Sequence, residues 1–150
     1  MSIASQENNM RRLAGLLSQD LSYIRGKKEC GPNGAKKTFL RLGNVFLRAL
    51  AKDLGLHNVT VRSNPGGIAV SGECTLIGMW EENGAYVCIT QTHIGKPMAI
   101  VYRSVRHAKD YTGGHNHWIT VEELRKLSYR ELLSRLTALR KDARSYDLAA

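Results

Sequence analysis

The residues best suited to chemistry lie in one stretch, Tyr102-Arg103-Ser104-Val105-Arg106-His107-Ala108-Lys109-Asp110-Tyr111-Thr112-Gly113-Gly114-His115-Asn116-His117-Trp118. Arg103, Arg106 and Lys109 are the residue types that neutralise phosphates. Tyr111 and Trp118 are suited to stacking on nucleobases, each stacked base being worth about 1–3 kcal/mol. His107, His115 and His117 add polar contacts, and the Gly113-Gly114 pair would let backbone approach a ligand closely. The same residues admit a purely structural role. Tyr111 and Trp118 would then anchor the loop to the core, and Asp110 would cap a turn or pair with Arg106 or Arg103. Cations are harder to absorb in this way, because Arg and Lys are seldom buried without partners.

Two catalytic readings can be built on the same stretch. His115 and His117 with Asp110 resemble part of a metal site, which would make a metal-dependent nuclease. Beside the two histidines, the candidate ligands are His107, Asp110 and Cys88, yet none stands at a recognisable ligand spacing. A histidine base with Arg103 and Arg106 as phosphate stabilisers would also suit phosphodiester cleavage. Against both, the chain has no paired-carboxylate motif, nucleophile elbow, P-loop or dinucleotide fingerprint. The expectation is therefore a protein that is not an enzyme, with no cofactor and no bound metal.

Hydrophobic periodicity shows what must position this stretch. Met10, Leu13, Leu17, Leu21 and Ile24 predict a first helix, stopped by the Gly-, Pro- and Asn-rich run from Arg25 to Gly34. Phe39, Leu42, Phe46, Leu50 and Leu54 predict a second helix from about Ala35 to Leu54, its apolar face widened by Val45, Leu47 and Ala49. Gly43 interrupts it at a cost of up to about 1 kcal/mol. On another face of this helix Lys37, Arg41, Arg48 and Lys52 form a secondary basic surface.

Alternating residues predict four strands, over 57–63, 68–79, 86–91 and 98–105, with an Asn83-Gly84 hairpin signal. Arg62 falls on the first of them. Short connections make these strands an antiparallel meander. Thr120 with Glu123, and Ser128 with Glu131, have capping-box spacing and predict helices over 121–127 and 129–143. The fold class is thus α+β: a four-stranded antiparallel meander sheet flanked by two N-terminal and two C-terminal helices. Residues 10–145 would form a single domain, with flexible ends over 1–9 and 146–150.

Bulk composition narrows the partner. The chain has 150 residues, with 22 Lys and Arg against 13 Asp and Glu, a formal charge of +9. A surplus of that size favours a polyanionic partner, DNA or RNA above all. Apolar runs are far below the roughly 20 residues that span a bilayer, and the polar N-terminus carries no signal-peptide core, so no membrane partner is expected. Cys30, Cys74 and Cys88, an odd count without CxxC spacing, point to a reducing compartment and hence a cytoplasmic protein.

The stretch Val61-Arg62-Ser63-Asn64-Pro65-Gly66-Gly67-Ile68-Ala69-Val70-Ser71-Gly72-Glu73, with Tyr102-Arg103-Ser104 and Lys109-Asp110-Tyr111-Thr112-Gly113-Gly114-His115-Asn116, resembles a family of small, mostly uncharacterised accessory proteins of bacterial phages and plasmids. The resemblance covers roughly the middle half of the chain. It implies a mobile genetic element in a bacterial host cell, and brings no catalytic residues with it. The leading expectation is a non-enzymatic nucleic-acid or nucleoprotein-binding accessory protein using Arg62, Arg103, Arg106, His107, Lys109, Tyr111, His115 and His117. The alternative is an anti-defence inhibitor of the anti-CRISPR type, bound to a host nucleoprotein or defence complex.

Overall fold

The computed structural model describes residues 2–19, 21, 34–66, 70–92, 97–111 and 113–142. Within them the order is α1 (Ile3–Leu17), α2 (Ala35–Asp53), β1 (His57–Asn64), β2 (Glu73–Met79), β3 (Gly84–Thr90), β4 (Met98–Val105), β5 (His117–Thr120), α3 (Val121–Lys126) and α4 (Tyr129–Thr137). A 3-10 turn, Ala138–Asp142, continues α4. The fold is α+β. Its sheet has five strands in the order β1-β2-β3-β4-β5, all antiparallel. The fifth strand corrects the expected count of four. It escapes pattern reading because His117-Trp118-Ile119-Thr120 is short and follows a Gly- and His-rich loop, so it shows no alternation of its own.

Side-chain parity divides the sheet into two faces. Leu76, Val87 and Tyr102 stand in cross-strand register, as do Cys74, Ile89 and Ile100. All six are buried and join the helices in one hydrophobic core. The other parity forms the outer face. Arg62, Thr75, Cys88, Val101 and Trp118 make one row across all five strands, and Thr60, Ile77, Tyr86 and Arg103 make the next. None of these nine belongs to the core cluster beneath the helices, although Cys88 is itself buried.

The helices cover the inner face alone. Helix α2 lies on β1 and β2, where Gly43 explains itself: a Cβ there would come within 2.5 Å of the Cys74 sulfur. What reads in sequence as a helix-weakening residue is a point of close contact between helix and sheet. Gly55, with φ of 69°, ends α2 by donating its N–H to Lys52 while Leu56 donates to Ala51. That paired geometry is the Schellman stop.

Helix α1 begins at Ile3, capped by Ser2, so residues 3–9, expected to be flexible, are helical. Polar residues of α1 are bound in the interior. The Gln6 amide donates to the Phe46 carbonyl at 3.2 Å and to the Tyr129 hydroxyl at 3.3 Å, and Tyr129 donates to Asp53 at 2.6 Å. These bonds tie α1, α2 and α4 together, which satisfies polar groups that would otherwise cost free energy on burial. Arg11 of α1 donates to the Leu124 and Leu127 carbonyls, capping the end of α3. Thr120 and Glu123 form the expected capping box, and Ser128 accepts from the Glu131 N–H. No helix among the described residues is long and apolar enough to cross a membrane.

Of the expected loop over residues 25–34, residues 25–33, with Cys30, lie outside the described residues, and Gly34 is the residue just before α2; the expected flexible tail 146–150 also lies outside them.

Candidate nucleic-acid interface

The loop between β4 and β5 is braced by two of the cations that sequence assigned to a partner, Arg103 and Arg106. Arg103 projects from the outer face of β4. Its guanidinium donates to the Asp110 carbonyl at 2.9 Å and to the Gly113 carbonyl at 3.0 Å, and it stacks 4.9 Å above the Tyr86 ring. One side chain thereby clamps the backbone on both sides of Tyr111. A planar guanidinium with five donors in a fixed fork is suited to this task.

Asp110 supplies the second tie. Its side chain is 1% exposed, and its carboxylate accepts from the Arg106 backbone N–H at 2.9 Å and from the Arg106 guanidinium at 3.1 Å. Gly113 is required at its place because a Cβ would collide with that carboxylate. Gly114 adopts φ of 71° and packs against the backbone of Ser104. The close approach that the Gly-Gly pair permits is therefore made within the protein, to Asp110 of the loop and Ser104 of β4.

Tyr111 stands at the tip of this braced loop and is 83% exposed. Lys109 and His115 are exposed near it in the chain. His107 turns back on the loop, its Nδ1 accepting from the Lys109 N–H. His117 stacks on Tyr102 with ring centroids 5.0 Å apart. Trp118 is half-exposed on the outer face, in the same row as exposed Arg62. Among the described residues the Arg62 side chain has no hydrogen-bond or ion-pair partner.

The candidate residues thus separate into two groups. Arg103, Arg106, His107 and His117 hold the loop and its strand. Arg62, Lys109, Tyr111 and His115 face solvent. Trp118 lies with the second group rather than anchoring the core. The metal-nuclease set is not assembled: Asp110 is engaged by Arg106, His117 lies on Tyr102, and no group of three or more metal-ligating side chains converges among the described residues.

Within the sheet, burial pushes the Cys88 thiol up to about 12, helped by nearby Glu73, to which the thiol donates at 3.5 Å. Burial likewise raises the Tyr86 hydroxyl well above its ordinary value. Both groups stay protonated at neutral pH and serve as polar packing, not as nucleophiles.

Lys37, Arg41, Arg48 and Lys52, the secondary basic surface, lie exposed on α2. Val45, expected to widen the apolar face, is instead 41% exposed within that same stripe. Two arginines of the C-terminal segment are engaged: Arg135 pairs with Glu123 and Glu131, and Arg140 lies over Trp80.

Two features escape sequence reasoning. Arg12 and Arg41 line one cleft of about 420 Å³ between α1 and α2. A larger cleft of about 990 Å³ lies between the end of α1 and α3, lined in part by Gln91, Pro97, Val121 and Arg125. Neither is legible in sequence, since each depends on how helices far apart in the chain pack together.

Compared with family models, with curated proteins and with solved structures, the chain matches none.

Proposed function

We propose that the protein is a non-enzymatic nucleic-acid-binding accessory protein, and that the tip of the β4–β5 loop with the outer sheet face is its interface. One observation carries this reading: Tyr111 is 83% exposed on a loop whose backbone is clamped on both sides of it by Arg103. Two arginines, a buried carboxylate and a glycine hold still a segment that displays an aromatic ring to water. Because the backbone on either side of Tyr111 is already braced, stacking a base on its ring requires less ordering of the chain than on an unbraced loop. Lys109 and Arg62 supply positive charge near the tip and on the sheet, and Trp118 offers a second ring.

The cytoplasm of a bacterial host that carries a mobile genetic element is the setting that goes with this proposal. It leaves room for a partner that is itself a nucleoprotein.

The test is fluorescence anisotropy with labelled single-stranded and duplex DNA and RNA over a range of salt. Affinity should fall as salt rises, because phosphate contacts release counterions. Tyr111→Ala should weaken single-strand binding by about 5- to 150-fold, the range that corresponds to one stacked base. Binding that is absent at low salt for every nucleic acid tried would overturn the reading.

A further inference from the structure

A second cationic feature lies on the helical side of the molecule, away from the outer sheet face. Ser5, Asn8 and Arg12 recur on α1 at spacings of three and four, so they share one face of that helix. Across the cleft stand Arg41 and Val45 of α2, and the lining includes Leu42. Two arginines therefore line a single open cleft. Among the described residues no carboxylate lines it, and neither Arg12 nor Arg41 has a hydrogen-bond or ion-pair partner.

The acids of these two helices that would be the obvious counter-charges are used elsewhere. Glu7 accepts from the Tyr129 N–H, and Asp53 from the Tyr129 hydroxyl. Like charges gathered at one site repel unless a ligand of opposite charge joins them. Arginine forks match the oxygens of a phosphate, and Ser5 and Asn8 add neutral donors.

The cleft also has a continuation. At 100° per residue, Lys37, Arg41, Arg48 and Lys52 fall on one narrow stripe of α2 together with Val45. From Lys37 to Lys52 that stripe is about 22 Å long, at 1.5 Å per residue. A single phosphate would need only the cleft, whereas a stripe of this length matches a run of phosphates.

We propose that the α1–α2 cleft, with the α2 stripe leading from it, binds the phosphodiester backbone of a nucleic-acid strand. The identity of the ligand rests on the nucleic-acid reading above, whereas the demand for a phosphate-type anion rests on the two arginines alone. The loop tip stacks on bases, and the cleft tracks backbone on the helical side of the molecule.

The experiment is an NMR titration of the full chain that follows the arginine Nε–H signals and the Trp118 indole signal. The probes are a short oligodeoxythymidylate and, separately, inorganic phosphate. With the oligonucleotide, the Arg12 and Arg41 signals should shift. The double variant Arg12→Gln/Arg41→Gln should reduce the dependence of log affinity on log salt by about 1.4, at roughly 0.7 for each single-strand phosphate no longer neutralised. Its indole signal should still respond.

If inorganic phosphate shifts the two arginines and the oligonucleotide does not, the cleft holds a free oxyanion and the proposal is overturned. If only the Trp118 signal moves, the cleft is not a site, while the loop reading stands. If neither Trp118 nor the arginines respond to the oligonucleotide, both readings fail together.

Discussion

Arg103 and Arg41 carry the same guanidinium on the same basic chain, and the fold uses them in opposite ways. Arg103 donates to two loop carbonyls and lies on Tyr86. Arg41 lines an open cleft with Arg12, and among the described residues it has no partner. In the loop the two arginines, Arg103 and Arg106, serve architecture, and what is displayed is an aromatic ring with Lys109 close to it in the chain. On the helices the architecture comes from apolar stripes and internal amides, and what is displayed is charge. A basic residue in a conspicuous loop is thus weaker evidence for an anionic partner than one on a plain helical face. Loop backbone has carbonyls in need of donors, whereas helix carbonyls are already satisfied.

The contrast is most vulnerable at Asp110. Replacing it with Ala removes a buried carboxylate bonded to both the backbone and the side chain of Arg106. The expected loss is about 3 kcal/mol, seen as a lower urea midpoint, with weaker stacking at Tyr111. An unchanged midpoint would show that the loop is not held as described. Next comes the direct comparison of arginines. Arg103→Lys keeps the charge but cannot span both carbonyls, and should cost about 1–3 kcal/mol. Arg41→Gln should leave stability within about 0.5 kcal/mol. Equal effects at the two sites would erase the distinction.

Alkali tests the sheet that carries the loop. Burial raises Cys88 from the ordinary thiol value of 9.0 to about 12. A folded-state value above the unfolded one stabilises fully below pH 9, and that contribution is lost as pH rises toward 12. At about pH 9, alkylation of Cys88 by iodoacetamide should be more than about tenfold slower in the native protein than in urea, as read by peptide mass spectrometry. The smallest effect is expected on the helical side in acid. The Thr120 N–H donating to Glu123, and Arg135 beside it, hold that carboxyl below its usual value of 4.5. Its contribution is present above that value and fades as pH falls through the lowered one. The capped start of α3 should loosen there, with faster amide exchange at Val121 and Leu124, while the sheet amides stay protected.

Much of the framework is readable from local pattern. The span of α2, the run of β4 and the Thr120 cap all follow from periodicity or from a two-residue signature, and all stand where expected. Helix α1 shows where such pattern fails. Ser2, Gln6, Glu7 and Asn9 look like a frayed polar end. Yet Ser2 caps the helix, Asn9 donates to Gln6, and Gln6 and Glu7 bond to Phe46 and Tyr129, partners supplied from far along the chain. The short strand β5 is missed for a related reason: its order comes from pairing with β4, not from its own alternation.

The candidate site is legible in location but not in function. Residue types alone mark Tyr102–Trp118 as unusual, because cations, aromatics and glycines crowd into one connection. Whether Arg103 faces a partner or a carbonyl depends on where the loop folds back, which local sequence does not encode. The clefts and the split between loop and helix arginines depend on packing between segments far apart in the chain. Local propensities select helices and strands through interactions within a few residues. Only long-range packing decides which charges find internal partners and which remain for another molecule.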